Sequence, residues 1–438
     1  MSEPRNTAPR HTEPQTLAAV RGLSMPTWRA ALPWLVLIAM LAVPPLVSSQ
    51  SWLFAWLAQT AAMIVFALSY NLLLGGTGLL SLGHAAHAGL GALVAAYLFN
   101  AWHLPLPLVP LVGGIGGALS GLLAGYVSTR RAGTAFAMIT LGIGELVAAA
   151  AWTLPDWFGG EAGVPIDRAS GLALGTWTFG PAREAYLLIA LWCLLACAAM
   201  FALSRTPFMR VANAVRDNPV RAAAIGCEPR RIRYASVVFA AFFAGIAGTL
   251  GLINVELVST ESVGMLRSGA VLIATVIGGT GAFFGPVAGA VVLTFFSVAV
   301  ASVTRAWLFY LGLLFIVIVA GSPDGIAGFA QRQAARLAQH GWRVCAKPWL
   351  CGVSAALAWT GAVVLAVQWA YARQFGTDDG TGLPFSGLLL AGVTSSGEWI
   401  SAAVVLLAGA GWIASRGARR AWPRDARATN AHEAGSIR

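Results

Sequence analysis

Long apolar runs separated by short polar stretches restrict the folds that are open to this chain. Charged residues fill only 10% of its 438 positions and hydrophobic residues fill 58%. A soluble domain of this size could not cover its surface with so few charges, whereas an apolar run of about 20 residues crosses a bilayer as a helix. The sequence therefore predicts an all-α, polytopic integral membrane protein. The candidate spans are 31–49, 53–74, 84–100, 107–127, 134–154, 185–204, 234–254, 268–280, 284–303, 306–320, 350–371 and 399–415.

The twelve runs divide the chain into three expected parts. Residues 1–30 are polar and predict a disordered cytoplasmic tail, 31–330 hold about ten transmembrane helices, and 331–438 add about two more as a C-terminal extension. The run 268–280 has only 13 residues. This length fits a half-helix or a re-entrant segment better than a full crossing.

Basic residues are concentrated in alternate connections between the runs. With the N-terminus inside, twelve crossings place 23 of the 28 basic residues on the cytoplasmic side. This asymmetry follows the positive-inside rule, so it explains the net charge of +11 without a nucleic-acid partner. We therefore expect both termini in the cytoplasm. The basic segments on that side are 1–30, 128–133, 205–233, 321–349 and 416–438.

The segment 205–233, RTPFMRVANAVRDNPVRAAAIGCEPRRIR, is the longest strongly charged interruption between apolar runs. Thr206 with Pro207, and Asn218 with Pro219, each combine a helix-capping residue with proline at the first helical position. They predict two short helices, the second ending at Gly226 in a left-handed cap. One apolar stripe is expected on the first helix, at Phe208, Val211, Ala212 and Val215. Such a pair could dock a cytoplasmic partner, or it could rest on lipid headgroups.

The sequence GGTG occurs twice, at Gly75–Gly78 and at Gly278–Gly281, and Gly83 and Gly285 follow the two copies. Glycine-interrupted apolar segments in corresponding positions of two halves indicate broken helices that line a transport pathway. Coincidence in a glycine-rich membrane protein is the alternative, because close helix packing also uses glycine.

Candidate chemistry is sparse. The chain has no Walker motif for ATP hydrolysis. His84 and His87 share a helix face without a third ligand nearby, so we expect no metal site and a packing or pore-lining role. Glu145 lies mid-span, where a carboxylate is costly and normally faces a polar interior. It is the only convincing candidate for an ion site under the alternative hypothesis, a secondary transporter driven by an ion gradient.

Six stretches between about residues 50 and 330 follow one another in the order of a known family's motifs. They are SYNLLLGGTGLLSLGHAAHAGLGA (69–92), GTAFAMITLGIGELV (133–147), FGGEAGV (158–164), TPFMRVANAVRDNPVRAAAIG (206–226), IGGTGAFFGPVAGA (277–290) and GSPDGIAGF (321–329). These stretches resemble the branched-chain amino-acid ABC permeases of the LivM type. At His87 and Ala88 the family usually has bulky aromatics, and 331–438 extends beyond its core.

The resemblance implies a non-enzymatic permease subunit in the bacterial inner membrane. It would work in an ATP-driven, binding-protein-dependent importer of branched-chain amino acids or related amide-type solutes, urea included. Its expected partners are a second homologous permease, two ATPase subunits that hold ATP and magnesium, a periplasmic binding protein and membrane lipid. No cofactor is expected on this chain itself.

The family pattern also implies roles for individual positions. An ATPase-coupling role is implied for Thr206, Pro207, Arg210, Val211, Arg216, Asp217, Asn218 and Gly226. A role in a pathway or a broken helix is expected for Gly75, Gly78, Gly83, His84, Thr140, Glu145, Gly278, Gly281 and Gly285.

Overall fold

A computed structural model describes residues 27–47, 49–160, 162–171, 178–375 and 398–421. The chain divides into two compact units, residues 1–48 and 49–438. In the first unit the described part is α1 (Thr27–Ala42) followed by the one-turn helix α2 (Pro44–Val47). Of the expected tail 1–30, residues 1–26 lie outside the described residues and 27–30 belong to α1. Glu161 of the FGGEAGV stretch also lies outside them.

The second unit is built from helices and one short strand pair. Strand β1 (Val164–Pro165) pairs antiparallel with β2 (Leu257–Val258). The helices in chain order are α3 (Ser51–Thr77), α4 (His84–Trp102), α5 (Val109–Ser128), α6 (Thr134–Thr153), α7 (Pro155–Phe158), α8 (Ala182–Ser204), α9 (Pro207–Asp217), α10 (Pro219–Ala224), α11 (Pro229–Val255), α12 (Met265–Gly278), α13 (Gly285–Thr294), α14 (Trp307–Gly321), α15 (Gly325–His340), α16 (Trp342–Phe375) and α17 (Glu398–Ala421).

The all-α, polytopic fold predicted from the sequence is confirmed. Among the described residues six helices are long and apolar enough to cross a membrane, namely α3, α5 with its preceding 3₁₀ turn, α6, α8, α11 and the first part of α16. A seventh span results if α14 and α15, bent by 47° at a short break, count as one. Shorter apolar helical segments among the described residues include α12, which has 14 residues instead of a full span, and the segment that begins with α13.

Helices α3 and α11 form the centre of the bundle. Helix α11 packs against α3, α4 and α5, and α3 also packs against α8, α12 and α13. Their side chains include fully buried Ile64, Tyr70 and Leu250. Both helices are apolar around most of their circumference, as expected for helices enclosed by other helices.

Glycines bring α5 and α11 into backbone contact. A methyl group added at Gly245 would overlap the carbonyl oxygen of Gly113 and would lie 3.0 Å from the Gly117 Cα. Helices that associate inside a bilayer gain stability from such close packing, because lipid tails supply no hydrophobic driving force between helices. The glycine content of these spans therefore sets the distance between their axes.

Arg168 fastens the strand pair to the end of α11 that lies opposite α9 and α10. Its Nε atom lies 2.8 Å from Glu256 Oε1, and its guanidinium also donates hydrogen bonds to the Gly180 and Ile253 carbonyls. Glu256 itself adopts a left-handed conformation, φ 61°, where α11 ends. Arg168 and the strand pair thus both attach the segment between α7 and α8 to the end of α11.

The extension after residue 330 consists mainly of a helical hairpin. Helices α16 and α17 pack against each other along their length, and α16 also contacts α15. Trp349 Nε1 donates to Gln333 Oε1 at 3.2 Å across that second contact. Whether 330 is a functional boundary stays a prediction.

Replacing Gly245 with leucine should destabilise the bundle, because the new side chain would overlap the α5 backbone. Overpacking of this kind costs about 1–3 kcal/mol or more. Thermal unfolding of the detergent-purified chain measures the effect. Gly312 on α14 has open space around it, so Gly312→Leu serves as the control. Equal melting temperatures for the two variants would contradict the packing argument.

Candidate functional site

Two short helices, α9 and α10, occupy the segment predicted to face the cytoplasm. Each begins at proline, and Asn218 caps α10 by accepting a hydrogen bond from the Arg221 N–H at 2.9 Å. Gly226 adopts φ +87°, confirming the left-handed end. Thr206 occupies the capping position of α9, but its hydroxyl donates to the Leu203 carbonyl instead. The predicted side-chain cap is therefore wrong for Thr206 and right for Asn218.

The face of α9 that packs on the bundle shares only Ala212 and Val215 with the predicted stripe of four residues. Met209, Ala212 and Val215 are buried, whereas Phe208 and Val211 are only partly covered. Met209 was missed because the stripe was read from Phe208 onward, although Met209, Ala212 and Val215 also follow helical spacing. The packing partner is the end of α3, since a methyl group on Gly76 would lie 2.6 Å from the Met209 Cε.

The opposite side of the helix pair is open. On α10 and just after it, Val220 is 79% exposed and Ile225 is 73% exposed, and Arg221 lies exposed beside them. Arg210 is exposed on α9. One face of the pair therefore rests on the bundle, while the other presents apolar and basic side chains.

Arg216 connects the helix pair to the first GGTG sequence. Its Nη1 donates to the Gly75 carbonyl at 2.5 Å, and its Nε forms an ion pair with Asp217 at 3.0 Å. The stem of Arg216 lies over Gly78, where an added methyl group would approach its Cγ to 3.0 Å. A guanidinium at this end of α3 is favoured because the last carbonyls of a helix have no partner within it.

Both GGTG sequences coincide with breaks in helices. Helix α3 ends at Thr77 and α4 begins at His84, while α12 ends at Gly278 and α13 begins at Gly285. The two breaks meet in space, since a methyl group on Gly75 would lie 3.0 Å from the Thr280 carbonyl oxygen. A role of these breaks in a transport pathway stays a prediction.

Side chains from three elements satisfy the backbone around the first break. Tyr70 donates its hydroxyl to the Ser81 carbonyl at 3.0 Å. The Leu82 N–H donates to Thr140 Oγ1 at 3.2 Å, and the Ala85 N–H donates to Ser268 Oγ at 3.0 Å. Irregular backbone survives inside a membrane protein only where other groups supply such partners.

Gly83 allows α6 to approach this break closely. A methyl group there would overlap the Thr140 carbonyl oxygen, and Gly144 faces Gly83 from the same side of α6. Thr140 thus contacts the break with both its backbone and its hydroxyl. Ser268, by contrast, was not recognised from the sequence, because a single serine near the start of a short apolar run carries no spacing signal.

The two glycines at the start of the second GGTG are constrained, and the last is not. Gly279 adopts φ +98°, and a methyl group on it would overlap the Asp324 carbonyl oxygen. A methyl group on Gly278 would likewise overlap the Gly285 carbonyl oxygen. Gly281 has no atom near its missing side chain. The role expected for Gly281 in a pathway or a broken helix stays a prediction.

His84 and His87 line a small polar cavity beside the first break. His84 Nε2 lies 3.0 Å from Ser69 Oγ, and His87 Nδ1 lies 2.8 Å from Ser120 Oγ. Both serine hydroxyls donate to backbone carbonyls, so these ring nitrogens are the donors and each neutral ring keeps one acceptor. The cavity is large enough for about one water molecule. The buried Ser128 hydroxyl there has no hydrogen-bond partner among the described residues.

Glu145 does not face this interior. Its side chain is exposed on α6, next to Leu146, which is 68% exposed. The expectation of a polar environment within this chain is therefore wrong, because helical periodicity gives Thr140 and Gly144 the inward face. Among the described residues, no group of three or more histidine, cysteine or acidic side chains could hold a metal ion.

Comparison with known proteins identifies a family. The family model described as branched-chain amino acid transport system / permease component matches residues 52–320. The high-affinity branched-chain amino acid transport system permease protein LivM of Escherichia coli is 28% identical over 295 residues, 63% of this chain and 69% of that protein. LivM of Salmonella typhimurium is 28% identical over 300 residues, 63% and 70% of the two chains. No solved structure matches the chain.

Gly279→Ala should destabilise the second break, because alanine meets both an unfavourable φ and the Asp324 carbonyl. A strained left-handed residue alone costs on the order of 1–3 kcal/mol. Gly281→Ala, two positions away, should leave stability unchanged. The melting temperatures of the purified chains measure both effects, and a loss of equal size in the two variants would refute the steric account.

Proposed function

The chain belongs to the family of permease components of branched-chain amino acid transport systems, and we propose that it is the membrane subunit of an ATP-driven, binding-protein-dependent importer. Branched-chain amino acids are the proposed solutes, since two relatives are named for their transport. ATP and magnesium bind to separate ATPase subunits, and this chain catalyses no reaction. The chain lies in the bacterial inner membrane, and a periplasmic receptor delivers the solute to it.

The observation that carries this proposal is the position of α9 and α10 between an open surface and the two helix breaks. Their exposed side presents Val220, Arg221 and Ile225, a mixture that suits a groove on a soluble partner. Their other side is packed on the end of α3 through Met209 and Arg216. If the exposed side of α9 and α10 instead rested on lipid headgroups, no movement would pass through the hydrogen bond from Arg216 to the break.

Movement of an ATPase pair would reach the pathway through this contact. Short helices transmit a displacement as rigid bodies, and Arg216 joins them to Gly75, which lies against Thr280 of the second break. Both breaks therefore receive the same displacement. Alternating access by rigid-body motion around broken helices is a general solution in transporters.

The exposed face of α6 fits a second permease. Glu145 there lies mid-span, and a carboxylate exposed to the bilayer centre costs on the order of 2.5 kcal/mol or more. Burial against another subunit that offers a hydrogen-bond donor or a cation removes this cost. Gly142 on the same face has open space around it, so a partner helix can approach closely.

An ion-driven secondary transporter is the weaker alternative. It would use membrane-embedded acids as ion sites. The buried polar side chains that the structure describes are those of serine, threonine and histidine, with no aspartate or glutamate among them. The topology proposed from the basic residues keeps α9, α10 and both termini in the cytoplasm, where an ATPase would dock.

Arg216→Ala should uncouple transport from ATP hydrolysis. Loss of the hydrogen bond to Gly75 breaks the link to the helix breaks, while the open docking face stays intact. In proteoliposomes that contain the chain with its co-purified subunits and receptor, we expect uptake of radiolabelled leucine to fall by at least about tenfold, the effect of losing one charged hydrogen bond. The ATPase subunits should still co-purify.

Arg231→Ala is the matched control for that experiment. Arg231 is 84% exposed in a surface ion pair with Glu228, and such pairs contribute little. Wild-type uptake by the Arg216 variant would remove its coupling role. Failure of any ATPase to co-purify with the native chain, together with uptake driven by an ion gradient alone, would overturn the importer proposal.

Gly142→Trp should block association with the second permease without unfolding this chain. The indole meets open space within the chain but occupies the approach to α6. Gly312→Trp, on α14, introduces the same bulk at another open position. Co-purification of the second permease should fall only in the Gly142 variant, with the melting temperature of the isolated chain unchanged. Full co-purification would place the interface elsewhere.

A further inference from the structure

The Arg267 guanidinium is a cation that lies against the two central helices of the bundle, α3 and α11. It forms no ion pair and no hydrogen bond with any residue that the structure describes. The contact that it does make is with an aromatic face, because its Cζ lies 5.9 Å from the centre of the Phe66 ring. A cation held this way keeps all its hydrogen-bond donors available to a ligand.

Arg267 points toward the two central helices and away from lipid. Phe66 on α3 is only 2% exposed. On α11, a methyl group added at Gly251 would lie 3.3 Å from the Arg267 Nη2, so the absence of a side chain there makes room for the guanidinium. Arg267 is only partly buried. Its nitrogens make no hydrogen bond to the described residues, and none of them is fully buried. The guanidinium therefore remains within reach of a small molecule.

The Arg267 guanidinium lies between the middle of α3 and the last turns of α11, since Gly251 precedes Val255, the last residue of α11, by four residues. Phe66 lies 15 residues after Ser51, the first residue of α3, which is about 22 Å along the helix and near its middle. Asn254 Nδ2 donates to the Ala55 carbonyl, so α11 ends near the start of α3. Unpaired arginines inside membrane proteins normally serve a ligand or an ion pathway, because burying their charge is costly.

The turn that carries Arg267 is held firmly in place. Arg267 is the third residue of α12, and its neighbour Ser268 accepts a hydrogen bond from the Ala85 N–H at the start of α4. The first N–H groups of α12 have no partner within the helix and add a partial positive charge on the same turn. This partial charge and the charge of the guanidinium both favour an anionic group beside Arg267.

We propose that Arg267 binds the carboxylate of the transported amino acid within the membrane. This inference rests on the proposed function and names one residue of its solute site. A guanidinium recognises a carboxylate through two parallel hydrogen bonds, which lysine cannot reproduce in full. Gly251 acts as a positioning residue, since it leaves the space in which the guanidinium lies.

Uptake of radiolabelled leucine by the full complex in proteoliposomes tests the proposal. Arg267→Gln should reduce uptake by at least about tenfold, and Arg267→Lys should retain part of it. Gly251→Val, which displaces the guanidinium without removing its charge, should lose uptake as well. Assembly and receptor-stimulated ATP hydrolysis should stay near the native level in all three. Arg305→Gln, at an exposed arginine after α13, removes the same charge and should transport normally.

A binding measurement separates carboxylate recognition from a structural role. The detergent-purified permease pair without receptor should bind radiolabelled leucine, leucinamide should compete poorly, and Arg267→Gln should raise the Kd at least about tenfold. Equal competition by leucinamide or native uptake in Arg267→Gln would each overturn the inference. If Arg267→Gln does not assemble, Gly251→Val decides instead: native uptake by this variant overturns the inference, and lost uptake in an assembled complex supports it. Native complex that takes up no leucine refutes the proposed function itself, whereas native uptake with an unaffected Arg267 variant refutes only this inference.

Discussion

The structure depends on satisfying backbone polar groups where helices break inside an apolar bundle. A backbone N–H or carbonyl group without a hydrogen-bond partner in a bilayer costs several kcal/mol. Around the first break Tyr70, Thr140 and Ser268 supply the partners, and they come from three different helices. The break therefore acts as the point at which α3, α6 and α12 are joined. Glycines make these contacts possible, because each lets another backbone come close.

The same rule links the breaks to the surface. Arg216 satisfies a terminal carbonyl of α3 from a helix that lies outside the bundle. A contact that completes the backbone hydrogen bonding of a break is also one through which force can be applied to it. The proposed coupling role of α9 follows from that position, since its other face is open to a partner.

Local sequence patterns predicted much of this arrangement. The cap of α10 at Asn218, the left-handed Gly226 that follows the helix and the break at Gly75–Gly78 all follow from short-range chemistry, namely capping, positive φ and helix interruption. Other features depended on long-range contacts. Glycines 279 and 281 look alike in sequence, yet only Gly279 meets the Asp324 carbonyl. Glu145 appeared interior because mid-span depth is readable from sequence, whereas the direction of a side chain depends on which neighbours surround the helix.

The sequence by itself determined that the chain is an all-α membrane protein, which parts of it are basic, and where its helices begin and break. These properties arise from the solvent and from residues near one another along the chain. The tertiary structure alone decided that the two GGTG sequences meet, that Arg216 reaches Gly75, and that the Arg267 guanidinium lies over the Phe66 ring. Each of these joins residues from different helices, and their proximity is set by glycine-mediated packing between helices that no local pattern encodes.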